Sequence, residues 1–143
     1  MHTFSLFPGP LSKKEALQYN ALQLAYVGDT VYDLFVRGAL VRGGKKNVNQ
    51  LHKEASAIVN CAAQSRALQA IDGLLSQDEK DLVRRGRNAH SRPPKNADPA
   101  DYARATGLEA LIGCLYLSGE GERLNEIMRL ILEGGPSNAQ GSL

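Results

Sequence analysis

The stretch LAYVGDTVY, residues 24–32, sets one acid, Asp29, among apolar and small residues, and GLEALIG, residues 107–113, does the same with Glu109. An ionised carboxylate that is buried without a partner costs several kcal/mol. Each acid therefore needs a cation, a proton or a path to water. If the helices that carry the two acids cross, one divalent metal ion between them compensates both charges.

Both acids lie within predicted helices. Asn20 is a favourable N-cap and Gln23 completes a capping box, and apolar residues then recur with helical spacing, which predicts a helix over residues 20–42. Residues 98–101 (DPAD) combine an Asp cap, a proline in the first turn and a second acid at the positive end of the helix dipole. They predict a helix that carries the second acid and ends near residue 118.

Four further helices are predicted from caps and apolar periodicity. They start at Ser12, at Asn47 or Asn49, at Ser76 and at about Glu122, and the last three run to about Ile71, Arg85 and Glu133. No segment shows sustained alternation of apolar and polar residues. The sequence therefore predicts an all-α protein of about six helices.

Length and composition fit one domain with a real core, because the chain has 143 residues, of which 43% are hydrophobic. We expect a lead-in over residues 1–19, a domain over 20–133 and a flexible tail over 134–143. Cys61 and Cys114 form no C-x-x-C pair, so neither a zinc site nor a redox motif is expected. With no signal peptide and no apolar run of about 20 residues, the expectation is a cytoplasmic protein with no membrane association.

The residues around the two acids are small. Gly28 costs about 1 kcal/mol relative to Ala inside a helix, and close backbone contact is a reason to keep it. Ala105, Thr106 and Gly113 flank Glu109 within one turn. Helices with such flanks approach closely enough for two carboxylates to share a metal ion, and magnesium often uses only one or two protein carboxylates.

Each acid also has a simpler interpretation. Asp29 could stand at a helix boundary, and Glu109 could reach solvent from a packing seam of small residues. Asp33 and Arg37 have the i,i+4 spacing of an ordinary surface ion pair.

A basic segment, residues 84–95 (RRGRNAHSRPPK), is the main concentration of charge, in a chain whose net charge is only +2. Its glycine and prolines predict a loop. Five cations and no acid suit a phosphate backbone, and the absence of aromatic residues favours a duplex over a single strand. The cations are Arg84, Arg85, Arg87, Arg92 and Lys95. A solvated face is the alternative, both here and for His52 and Lys53, which could also touch a nucleic-acid backbone.

Three motifs resemble the ribonuclease III family. Residues 26–32 (YVGDTVY) resemble its signature helix, and 108–113 (LEALIG) resemble its second acidic helix. Residues 85–89 (RGRNA) followed by 94–96 (PKN), together with 51–53 (LHK), are similar to the short bacterial branch called Mini-ribonuclease III. That branch has no double-stranded-RNA-binding domain. Like this chain, it also lacks two carboxylates of full-length members.

The resemblance implies a homodimeric, magnesium-dependent endonuclease for double-stranded RNA, with Mn²⁺ as a substitute metal. Asp29 and Glu109 would be the catalytic metal ligands, with Asp33 in a supporting role, and the basic segment would grip the duplex. Each subunit would cut one strand. In this branch the substrate is the precursor of 23S ribosomal RNA, and a ribosomal protein is a candidate assistant.

Two alternatives stay open. The first is a non-catalytic member of the same fold that binds duplex RNA or the ribosome. Loss of Asp29 or Glu109 would mark it, and both are present. The second is an all-α nucleotide pyrophosphohydrolase. That chemistry calls for clustered carboxylates, and Glu122 and Glu126 on an amphipathic helix are the nearest approach.

Overall fold

The computed structural model of the protein describes residues 6–89 and 91–134, and within them it is all-helical. Helices α1 to α7 are Lys13–Leu17, Ala21–Arg42, Val48–Val59, Cys61–Ile71, Gln77–Arg87, Pro99–Leu117 and Gly121–Leu132. A 3-10 turn, Asp72–Leu74, follows α4. The all-α prediction is confirmed. The first five residues of the expected lead-in and residues 135–143 of the expected tail lie outside the described residues.

The caps that the sequence indicated are present. The side chains of Ser12, Asn20 and Ser76 each accept a hydrogen bond from the backbone N–H three residues later. The side chain of that later residue accepts from the N–H of the cap, so each pair forms a capping box. Asp98 accepts from the N–H of Asp101, and Pro99 occupies the first turn of α6. These bonds join residues only three positions apart, which is why short sequence patterns locate the starts of α1, α2, α5 and α6.

The prediction of one unbroken helix from Asn47 to about Ile71 is wrong. Asn60 adopts an extended conformation and divides the segment into α3 and α4. Its Nδ2 donates to the carbonyls of Ser56 and Ala57, and its Oδ1 accepts from the N–H of Ala63. One asparagine side chain therefore caps the end of α3 and the start of α4, while apolar periodicity runs through the break.

The basic segment is only partly a loop. Helix α5 continues to Arg87, so the first four residues of the segment form its last turn. The glycine expected to interrupt the helix, Gly86, lies inside it. The reason is tertiary: a methyl group on Gly86 would lie 2.6 Å from the Cα of Gly107, so the missing side chain lets α5 approach α6.

Helix α6 is the centre of the fold. It packs against α2, α4 and α5, and ten of its residues are buried. Its glycines face different neighbours: Gly107 contacts α5, and Gly113 contacts the backbone of Leu24 in α2. Because these contacts are backbone to backbone, α6 lies very close to both partners, and the residues next to its glycines are held in fixed positions.

Candidate active site

Asp29 and Glu109 meet where α2 crosses α6. A methyl group on Gly28 would overlap the carbonyl oxygen of Glu109, and one on Gly113 would overlap the carbonyl oxygen of Leu24. The close backbone approach expected of Gly28 is therefore confirmed. Asp29 follows Gly28 directly, and its carboxylate lies close enough to Glu109 for its negative charge to raise the pKa of that residue.

The two acids have different surroundings. Asp29 is exposed, whereas Glu109 is only partly exposed. Burial, followed by the negative charge of Asp29, raises the pKa of Glu109 from its ordinary 4.5 to about 8, although a hydrogen bond from Gln64 opposes the rise. At neutral pH one acid thus reaches water and the other keeps a proton. Of the three requirements named for such acids, a cation, a proton or a path to water, Asp29 therefore meets the last and Glu109 the second.

The simpler interpretation of Asp29 is wrong, and that of Glu109 is confirmed in part. Asp29 lies in the interior of α2, which extends from Ala21 to Arg42, and not at a boundary. The seam of small residues exists, since Gly28 and Gly113 form it, but Glu109 stays partly buried beside it. The surface pair of Asp33 and Arg37 is confirmed, at 2.9 Å between Oδ2 and Nε.

Two residues that the sequence did not single out complete the site. Gln64 in α4 is 2% exposed, and its Nε2 donates to Glu109 Oε2 at 3.2 Å. Tyr32, one turn after Asp29, is 1% exposed, and burial together with the charge of Glu109 raises the pKa of its hydroxyl. A signal for Gln64 existed: with Leu68 and Ile71 it follows the helical spacing of a buried face.

The pair of acids is suited to a divalent cation. Burial and, after it, the negative charge of Asp29 keep a proton on Glu109, and the groups that perturb its pKa, Asp29 and Gln64, include no cation. A metal ion that displaces this proton would supply the missing positive charge. Among the described residues no group of three or more His, Cys, Asp or Glu side chains is arranged to hold a metal ion, and magnesium often uses only one or two protein carboxylates.

The cations of the basic segment do not share one environment. Arg84 pairs with Asp81 at 2.9 Å. Arg85 donates to the carbonyls of Leu17 and Tyr19 at 3.4 and 2.8 Å, so it ties α5 to the end of α1. All five of the cations in this segment are exposed. His52 and Lys53 are exposed on α3. Contact with nucleic acid stays a prediction for all seven residues.

An apolar groove lies along the start of α2. The side chain of Tyr26 is 81% exposed, and that of Leu22 is 39% exposed. Tyr19, Val27 and Leu117 line the same groove, which has a volume of about 530 Å³. A large aromatic side chain that is so exposed within an apolar surface is typical of an interaction site.

No helix within residues 6–89 and 91–134 has the length and apolar character needed to cross a membrane.

Comparison with known proteins identifies relatives over most of the chain. Residues 22–120 match the model of the ribonuclease III domain. The chain is 49% identical to Mini-ribonuclease 3 of Symbiobacterium thermophilum over 109 residues, which cover 76% of this chain and 84% of that protein. It is 45% identical to Mini-ribonuclease 3 of a Thermoanaerobacter species over 124 residues, or 86% of this chain and 87% of the relative. A crystal structure of a protein from Fusobacterium nucleatum superposes with a TM-score of 0.75 at 31% identity, covering 82% of this chain and 94% of the other.

Proposed function

The chain belongs to the ribonuclease III family, and we propose that it is a magnesium-dependent endoribonuclease that cuts double-stranded RNA. The observation that carries the proposal is the meeting of Asp29 and Glu109 at the α2–α6 crossing. A binding protein of the same fold has no need for two neighbouring acids, one of them partly buried and still protonated at neutral pH. The enzyme does need them, since it must attract a divalent cation.

Asp29 and Glu109 would hold Mg²⁺, and Mn²⁺ would bind to the same oxygen ligands. The bound ion would lower the pKa of a water molecule and offset the charge that develops on the phosphoryl oxygens. Glu109 must give up its proton when the ion binds. Asp29 is exposed and therefore open to the incoming ion and to the substrate. Asp33, paired with Arg37, is assigned a supporting role at most.

The basic segment would bind the RNA duplex. Arg87, Arg92 and Lys95 are exposed and stand on the last turn of α5 and the loop after it. Phosphate contacts position a duplex without reading its sequence, so this surface suits a substrate defined by its double-stranded shape. Arg84 and Arg85 would contact phosphate with the guanidinium N–H groups that do not bond to protein partners. His52 and Lys53 would add phosphate contacts from α3.

The active form would be a homodimer. The groove around Tyr26 is apolar and exposed, and a second copy of the chain would cover it through a two-fold axis, since such interfaces use the same surface on both subunits. Each subunit would then provide one pair of acids and cut one strand. The natural substrate would be the precursor of 23S ribosomal RNA in the bacterial cytoplasm, with a ribosomal protein as a possible assistant.

A gel assay of the purified protein tests the proposal, with a long RNA duplex and its separate strands as substrates, with and without Mg²⁺. We expect cleavage of the duplex alone, only with metal, and a loss of roughly 10²- to 10⁴-fold in Asp29→Asn, the range for removal of one essential polar group. The variant should keep its fold and its duplex binding. Duplex binding without cleavage in every divalent metal would support the non-catalytic alternative instead.

A further inference from the structure

Buried polar side chains lie on α4 and α6, the two helices that meet beside Glu109. In the described part of the chain, three polar residues are buried: Gln64, Ser65 and Thr106, at 2%, 1% and 6% exposure. The first two are neighbours in α4, and Thr106 precedes Glu109 by one turn of α6. Their hydrogen bonds distinguish them: Ser65 accepts from Arg104 and Thr106 donates to the carbonyl of its own helix at Tyr102, whereas Gln64 bonds to Glu109.

The amide of Gln64 joins two elements of the site. Its Nε2 donates to the carbonyl of Val59 at 2.9 Å and to Oε2 of Glu109 at 3.2 Å. The backbone carbonyl of Val59 can only accept, so the amide stands with its nitrogen towards it. The contact therefore fixes one carboxylate oxygen of Glu109 relative to the end of α3.

The same amide carries a cost. Its Oε1 is buried and has no hydrogen-bond partner among the protein atoms of the described residues. A buried acceptor without a partner costs about 1–3 kcal/mol. An apolar side chain such as Met would avoid that cost but would lose the hydrogen bonds to Val59 and Glu109, so the glutamine serves both the end of α3 and the carboxyl group of Glu109.

We propose that Gln64 is a positioning residue for the metal site: it holds the Glu109 carboxylate in the orientation that binds the divalent cation. This inference rests on the proposed function, because it gives Gln64 a role only if Asp29 and Glu109 bind a metal ion. Gln64 itself is not a ligand in this assignment. Its Nε2 donor acts on the carboxyl group of Glu109, which would be the ligand.

Glutamine is suited to this role because it is neutral. A lysine in its place would also hold the carboxylate, but it would cancel the negative charge that attracts the cation. An amide N–H orients the oxygen and leaves the charge in place. Partners of this kind typically contribute 10- to 100-fold to metal affinity or activity.

The test is calorimetric titration of MnCl₂ into metal-free protein, for the wild type, Gln64→Met, Gln77→Met and Asp29→Asn, together with melting temperatures at each metal concentration. Gln77 is a matched control, because its Nε2 also donates to a carboxylate, that of Asp81 at 2.9 Å, and neither Asp29 nor Glu109 is involved. We expect Gln64→Met to weaken Mn²⁺ binding 10- to 100-fold and to reduce the rise in melting temperature that the metal causes. Gln77→Met should bind like the wild type.

The outcomes separate the two proposals. If the wild type binds Mn²⁺ and Gln64→Met binds it equally well, the positioning role is overturned while the proposed function stands. If Gln64→Met has a lower melting temperature without metal but binds Mn²⁺ with the wild-type affinity, the role of Gln64 is purely structural. This result also overturns the inference. If the wild type does not bind Mn²⁺, or if Asp29→Asn binds it as tightly as the wild type does, the metal site itself is wrong and both proposals fail.

Discussion

The α2–α6 crossing and the basic segment represent two ways of building a functional surface. At the crossing, glycines bring two backbones into contact, and the position of each acid follows from that contact. In the basic segment, exposed cations stand on a helix end and a loop, and Arg84 and Arg85 also bond to protein groups. The metal site at the crossing depends on how closely the two helix backbones approach, whereas RNA binding by the basic segment depends on its number of positive charges. Substitutions should therefore act on stability and metal binding in the first, and on affinity and salt dependence in the second.

The largest effect is expected from Gly28→Ala. The new methyl group would overlap the Glu109 carbonyl, so α2 and α6 must separate, and overpacking of this kind costs about 3 kcal/mol or more. Cleavage and metal binding should be lost together with much of the stability, as measured by thermal unfolding. Gly38→Ala in the same helix is the control: no atom lies within 4 Å of its added methyl group, and it should be neutral or stabilising by up to about 1 kcal/mol. Equal stability of the two variants would contradict the backbone contact.

The second prediction concerns the proton on Glu109. Its pKa is about 8 in the folded protein against an ordinary 4.5, so between these values the folded state binds a proton that the unfolded state lacks. The metal-free protein should therefore lose stability as the pH rises from 5 to 8, which a series of melting temperatures over this range measures. Metal binding should strengthen over the same range, because fewer protons have to be displaced. Glu109→Gln removes the titrating group, and a melting profile that kept the same slope in this variant would contradict the assignment.

A third substitution addresses the basic segment. Arg87→Ala combined with Lys95→Ala should weaken duplex binding about tenfold and lower the slope of log affinity against log salt by about two units, near one for each lost phosphate contact. Melting temperature should stay close to that of the wild type. Binding isotherms at four or five salt concentrations measure the slope. The matched control is Lys14→Ala with Arg129→Ala, which makes the same charge change on α1 and α7. An equal loss of slope in the control would show that only net charge matters.

The smallest effect is expected from Asp33→Ala. The substitution removes an i,i+4 pair on a helix surface, which is worth about 0.3–0.5 kcal/mol. Cleavage should stay within about twofold of the wild type at saturating Mg²⁺. If activity falls tenfold while the melting temperature is unchanged, Asp33 supports the metal site, and the site extends one turn further along α2 than the contact of Asp29 with Glu109 indicates.

The sequence determined the helices and the identity of the two acids. Capping bonds span three residues and apolar periodicity spans one or two turns, so patterns in the chain were enough to predict α2 and α6 to within about one residue. The break at Asn60 was missed, although it is also local, because apolar periodicity continues across it. Family motifs then identified Asp29 and Glu109 as a pair, although they are far apart in the chain.

Only the tertiary structure decided what surrounds that pair. The hydrogen bond from Gln64 to Glu109 joins residues 45 positions apart, and those from Arg85 reach back 66 and 68 positions to the end of α1. No local pattern specifies such contacts, since they depend on how closely α2, α4 and α5 pack on α6. For the same reason, the sequence predicted only that each acid needs a cation, a proton or access to water. The packing of the helices leaves Asp29 exposed to water and keeps a proton on Glu109.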